Sequence, residues 1–152
     1  MTEPRILCRV VTYDKDTDSV LLVRNQGQNW WCAPGGGWDH NNETILECAL
    51  REVREETGVC VRILKLLYVQ TLYVQEQKCT WLELFWLAEP VGAKNPPVGH
   101  VDQFGVVDEV RWFNRSDSGL TKILPKVLTE SFWRIVQEVT KENNRYIGHF
   151  TI

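Results

Sequence analysis

The sequence is short of positive charge, of paired cysteines and of long apolar runs, and each shortage excludes something. No window approaches the roughly 18 apolar residues of a membrane-spanning helix. Seventeen lysines and arginines face 20 acids, for a net charge of -3. That leaves no basic field to attract a nucleic-acid polymer. A small anionic ligand would need local positive charge or a metal. The five cysteines (Cys8, Cys32, Cys48, Cys60 and Cys79) are odd in number and widely spaced, with no CxxC. They fit a reducing compartment better than a disulfide framework or a zinc site. The segment MTEPRILCRV carries neither a long apolar run nor a small-residue cleavage site. The expectation is a soluble, cytoplasmic protein with no membrane association. There is no internal repeat, low-complexity segment or linker.

What is present is ordinary globular material, 43% apolar and 24% charged. Its 152 residues suit one domain, 1–152, with a core that needs no cross-links. Ile6 to Tyr13 and Ser19 to Arg24 are β-rich runs around the turn-forming DKDTD, which predicts a hairpin. NQGQNWWCAPGGGWDHNN reads as a long loop. Thr44 to Glu56 reads as a helix, with Thr44 and Glu47 as a capping box and Gly58 as its stop. Val61 to Gln75 and Cys79 to Leu87 predict a second antiparallel hairpin. Trp81 to Trp86 has few polar breaks, so both of its faces are expected to be covered. A Gly- and Pro-rich loop follows, then a short strand at Val110 to Phe113. An amphipathic helix is expected from Lys126 to Lys141, with Leu128, Phe132, Ile135, Val136 and Val139 on its apolar side. Strands alternating with two helices suggest a mixed sheet with helices packed on it.

The helix from Thr44 gathers acids in an informative way. At about 100° per residue, Glu52, Glu55 and Glu56 share an arc of about 100°. Ile45, Leu46, Ala49, Leu50 and Val53 fill the neighbouring arc, so the acids fall at the edge of the expected buried stripe. A helix seeking solubility would place its charges far from the core and alternate their signs. Glu52 and Glu56, at i and i+4, should repel by a few tenths of a kcal/mol. A hard divalent cation, Mg²⁺ or Mn²⁺, would turn that cost into attraction. The plain alternative is a solvated acidic face, with Arg51 pairing with Glu47 or Glu55.

The spacing around these acids is specific. Gly37, Glu43 and then Arg51-Glu52-Val53-Arg54-Glu55-Glu56-Thr57-Gly58-Val59 resembles the Nudix box, G-x5-E-x7-R-E-U-x-E-E-x-G-U, where U is apolar. All seven fixed positions agree, a coincidence on the order of 10⁻⁹ per window at ordinary residue usage. The resemblance implies an α/β fold, the Nudix-type α/β/α sandwich with a central mixed sheet. It also implies a Nudix hydrolase, a Mg²⁺-dependent pyrophosphohydrolase acting on acid anhydrides. By position, Glu52, Glu55 and Glu56 correspond to the metal-binding glutamates, and Gly37 to a glycine whose carbonyl joins them. Glu43 and Arg51 correspond to residues that brace the loop and helix. The run GGGWDHNNE departs from the commoner GG-x-x-E-x-G-E, with Asp39 near the usual acid and asparagines where a glycine is common. That leaves the turn geometry open.

For the base that activates water, Glu52 is the first choice. Glu109 in DEVRWF is the second, followed by Asp108 and Asp102, whose plain alternative is a solvated loop acid. Trp30, Trp31 and Trp38 flank the glycine loop and are candidate stacking surfaces for a base, Trp31 foremost, and Arg24 is a candidate phosphate contact. The ordinary uses of these residues are core packing and surface charge. By family analogy the substrate is a small-molecule diphosphate: a nucleoside triphosphate or other nucleoside diphosphate derivative. The alternatives are an isoprenoid, sugar or inositol diphosphate, or a non-catalytic nucleotide-binding module. The aromatic strands suit either a core or, in a homodimer, a partner subunit.

Overall fold

The computed structural model describes residues 2–117 and 121–139. The first β-rich runs form β1 (Arg5–Asp14) and β2 (Ser19–Asn25), antiparallel with Thr12 opposite Leu21 and Asp14 opposite Ser19. Their turn is organised by Asp14, whose carboxylate accepts from the Asp16 amide at 3.2 Å and the Thr17 hydroxyl at 2.8 Å. Asp18 takes the left-handed conformation at φ 51°, which a short polar side chain tolerates.

The segment expected to be a single long loop instead contributes two short strands, β3 (Trp31–Cys32) and β4 (Gly35–Gly37). β3 pairs with β2, and β4 runs antiparallel to β1 with Gly35 opposite Arg9 and Gly37 opposite Leu7. Strands this short carry no readable period, and glycine has low strand propensity. Tertiary fit makes them strands. A Cβ at Gly35 would lie 1.9 Å from the Cys8 carbonyl oxygen, so only glycine lets the backbones approach.

The acidic helix is α1 (Ile45–Thr57). Thr44 caps it reciprocally with Glu47, and Gly58 ends it at φ 71°. The second hairpin is β5 (Val61–Val74) and β6 (Cys79–Pro90), with two register shifts in β5. β6 lies between β5 and β1 and is parallel to β1. Phe85 and Trp86 are buried in different core clusters, so both faces of β6 are covered as expected. β7 (Val107–Asn114) is longer than its apolar signal and pairs along β2. β8 (Ile123–Leu124) adds to β3.

In place of one C-terminal helix there are two, α2 (Val127–Glu130) and α3 (Phe132–Val139). They are separated at Ser131, whose hydroxyl turns back to the Val127 carbonyl at 3.4 Å. Leu128, Phe132 and Val136 are buried as expected. Residues 140 and 141, and the side chains of Ile135 and Val139, lie outside the described residues. Among the described residues, no helix is long and apolar enough to cross a membrane.

The described strands form one eight-stranded mixed sheet, ordered β5-β6-β1-β2-β3-β8, with β4 on β1 and β7 on β2. One face packs on α1 through Cys8, Val10, Ala49, Val53 and Trp86. The other packs on α2 and α3 through Val11, Tyr13, Phe85, Phe132 and Trp133. The result is the expected α/β/α sandwich. β1 also divides its partners along one edge, pairing β4 at residues 7–9 and β2 at residues 12–14.

Candidate active site

A cleft of about 520 Å³ is lined by β1, β4 and α1. Arg5, Leu7 and Arg9 enter it from one face of β1, and Gly35 to Gly37 form another wall. Glu52, Glu55 and Glu56 reach it from α1, so the three expected acids do share one space. Their setting differs from the helical projection. The buried residues of α1 are Ile45, Cys48, Ala49, Val53 and Thr57, whereas Leu50 is 41% exposed. Measured from Glu52, Cys48 lies near -40° and Thr57 near +140°, so Glu52 and Glu56 point within the buried stripe rather than at its edge. Glycine makes this workable. A Cβ at Gly36 would come within 2.6–2.7 Å of the Glu52 carboxyl.

Burial has electrostatic consequences. Desolvation raises the pKa of Glu52, opposed by its bond to Arg51. Glu56 is pushed up to about 8, chiefly by desolvation and further by Glu52 and Asp102. Its one backbone donor is the Gly35 amide at 3.0 Å. Arg51 is the hub of the cluster. Its guanidinium grips Glu43 with two bonds of 2.8 and 2.7 Å, and donates to Glu52 at 2.7 Å and Glu55 at 3.1 Å. It also reaches the Gly37 carbonyl at 3.4 Å. The fork on Glu43 holds that carboxyl below its usual range. The unusual run before the helix folds around Asp39. Asp39 accepts from Asn41 and Asn42 through its side chain and from Asn42 and Glu43 through its carbonyl.

The remaining expected residues fall elsewhere. Glu109 and Arg24 are paired with each other at 2.8 Å across β2 and β7, and Asp108 joins them at 3.1 Å. Glu109 lines an adjoining hollow that shares Glu56 and Asp102 with the cleft. Asp102 is buried in the cleft wall, and its carboxylate accepts from the amides of Phe104, Val106 and Val107. It shapes the loop that carries Phe104. Trp31 is 6% exposed and packs on Phe113 at 4.8 Å, so it belongs to the core rather than to a ligand surface. Its neighbour Trp30 instead lines a second cavity, of about 440 Å³, beside the cleft.

Arg5 and Arg9 are the cationic residues that sequence reading missed. The available signal was two arginines four positions apart on one face of a strand otherwise bound for the core.

The donors suit a hard cation by type: carboxylates and a backbone carbonyl, with burial, and then the neighbouring Glu52 and Asp102, disfavouring the charge of Glu56 where no counterion is bound. Among the described residues, no three acids, histidines or cysteines are grouped ready to hold an ion. Glu52 and Glu55 turn to Arg51, and Glu56 turns to Gly35. A cation held here would exchange those partners.

A match to the NUDIX domain spans residues 4–132. The uncharacterized Nudix hydrolase YvcI of Bacillus subtilis is 41% identical over 44 residues, 29% of this chain and 27% of that protein. The 8-oxo-dGDP phosphatase NUDT18 of Mus musculus is 31% identical over 91 residues, 57% of this chain and 26% of that protein. The matched regions thus span about a quarter of the length of these relatives. A NUDIX hydrolase structure from Nitrosomonas europaea superposes with a TM-score of 0.73 at 19% identity, covering 98% of both chains. A UDP-X diphosphatase structure gives 0.66 at 20% identity, covering 95% of this chain and 68% of that one. At these identities the structures establish the shared fold. The domain match, running from β1 into α3 and enclosing the carboxylate cleft, shows that this chain belongs to the NUDIX family.

Proposed function

We propose that the chain is a Mg²⁺-dependent hydrolase, with Mn²⁺ as a substitute, that cleaves a diphosphate linkage in a nucleoside triphosphate or another nucleoside diphosphate derivative. The observation that carries this reading is the meeting of Glu52, Glu55 and Glu56 with Arg5 and Arg9 in one cleft. Anionic oxygens to hold a cation face cations to draw in phosphates. The nucleotide class is favoured by relatives named 8-oxo-dGDP phosphatase and UDP-X diphosphatase.

In this reading Glu52, Glu55, Glu56 and the Gly37 carbonyl hold the metal. When bound, it supplies phosphate charge neutralisation and an acidified water. Arg9 and Arg5 orient the diphosphate. Arg51 and Glu43 fix the glycine turn against the helix. Glu52 takes the proton of the attacking water, because burial raises its basicity and it stands in the cleft. Glu109 is the weaker choice, held by Arg24 in the adjoining hollow. The chain is proposed to act as a single domain in the cytoplasm, where free cysteines such as Cys8 and Cys48 stay reduced.

The test is a panel of nucleoside di- and triphosphates, nucleotide sugars, isoprenoid diphosphates and inositol polyphosphates with Mg²⁺, products identified by mass. Release of a nucleoside monophosphate is expected, with turnover cut at least 100-fold in Glu52→Gln. Cleavage confined to isoprenoid or inositol compounds would replace the nucleotide reading. No cleavage of any compound would favour a non-catalytic binding module.

A further inference from the structure

We infer that Gln103, on the loop between β6 and β7, is a positioning residue for Glu55, holding one oxygen of that carboxylate so that the other faces the cation. This rests on the metal-dependent reading of the cleft. It adds to that reading a residue from outside the acidic helix and its glycine turn.

The loop, residues 91–106, is fastened at several points. Near its start, Lys94 donates to Asp14 and Asp16, each at 2.8 Å, and its carbonyl accepts from the Trp112 indole at 2.9 Å. Near its end, the buried Asp102 carboxylate gathers the amides of Phe104, Val106 and Val107 at 3.0–3.2 Å. Between these points the loop docks on the last turn of α1. A Cβ at Gly58 would stand 2.6 Å from Pro97 and 2.9 Å from His100, so glycine there lets the loop seat against the helix end.

The docked loop meets Glu55 twice. A ring nitrogen of His100 lies 2.8 Å from the Glu55 carbonyl, one of the last four of the helix, which have no partner within it. Gln103 Nε2 donates to Glu55 Oε1 at 3.2 Å. An amide facing a carboxylate presents its NH₂, because two oxygens would repel. Arg51 Nη1 donates to the other oxygen, Oε2, at 3.1 Å. Each oxygen therefore has its own partner, and the partners differ in kind. Arg51 is charged, is repelled by an arriving cation, and keeps Glu43 when it lets Oε2 go. Gln103 is neutral and has no such conflict. A cation that replaces Arg51 at Oε2 leaves Gln103 on Oε1, so the carboxylate is held in place by the loop while it changes partner. Gln103 is exposed, so this one contact contributes little to folding.

The test compares Gln103→Met, which keeps the length and removes the donor, and Gln103→Ala with wild type. Melting in chelator should stay within about 2 °C. Mn²⁺ affinity by electron paramagnetic resonance should weaken about tenfold, as for other residues that orient a ligand. Turnover should fall at limiting Mg²⁺ and recover as Mg²⁺ is raised, which damage to the fold would not allow. Unchanged Mn²⁺ affinity in both variants overturns the inference, and so does a loss of affinity matched by a fall in melting temperature. The two readings fail separately. Weakened Mn²⁺ binding in a protein that cleaves no diphosphate sinks the hydrolase reading and leaves the positioning role. Hydrolysis with wild-type Mn²⁺ affinity in both variants sinks the positioning role alone. A wild type that binds no Mn²⁺ overturns both.

Discussion

Glu56→Gln should stabilise the metal-free protein while abolishing its chemistry. The native carboxyl titrates at about 8, above the ordinary 4.5, mainly because burial disfavours its charge. The sign follows from proton counting. Between 4.5 and 8 the unfolded chain has lost this proton and the native state keeps it, so native stability falls as pH rises through that window. Below 4.5 the penalty is absent, and above 8 it is complete. Taken literally, the shift corresponds to about 4–5 kcal/mol at the high-pH end. Water entry and relaxation at a partly exposed group should halve it, to about 2 kcal/mol. Glutamine keeps the acceptor for the Gly35 amide and has no charge to desolvate. In chelator, melting curves of the variant and wild type should coincide near pH 4.5. They should separate to about 5 °C in the variant's favour by pH 8. With excess Mg²⁺ the order should reverse, because only wild type gains from cation binding. Parallel melting temperatures across pH 5–8 in chelator would refute the claim that Glu56 is held protonated by burial. Turnover should fall at least 100-fold, and wild-type turnover would remove Glu56 from the site.

Gly36→Ala should leave the melting temperature within about 2 °C, because its Cβ meets only the movable Glu52 carboxyl, yet turnover should drop at least tenfold; equal loss of both would make the glycine structural only. Gly35→Ala should instead destabilise by about 3 kcal/mol or more, because its Cβ meets the Cys8 carbonyl, which cannot step aside; a chemical denaturation midpoint like wild type would contradict the β1–β4 contact. Arg51→Lys keeps the charge but cannot span Glu43, Glu52 and Glu55 together, so Mn²⁺ affinity measured by electron paramagnetic resonance should weaken about tenfold or more; unchanged affinity would leave Arg51 with no part in positioning the ligands.

Elements whose causes are local were legible in the residues alone. The capping box at Thr44, the Gly58 stop and the two hairpins follow from neighbouring residues, and α1, β1, β2, β5 and β6 form where those signals stand. The site's acids were legible for the same reason: Glu52, Glu55 and Glu56 are spaced along one helix. Tertiary structure decided what depends on distant partners. Gly35 to Gly37 became a strand because β1 lay ready to pair with it, and Ser131 split a helix that periodicity joined. Helical projection placed Leu50 inside and the acids at the edge. The sheet buried Cys48 and Thr57 instead, because it packs across the stripe and Gly36 leaves room for a carboxyl. Trp30 and Trp31 are adjacent in sequence and chemically identical, yet one lines a cavity and the other fills the core. Trp30 lies in the bend before β3 and Trp31 opens the strand, and only the assembled sheet fixes which of the two side chains meets the core.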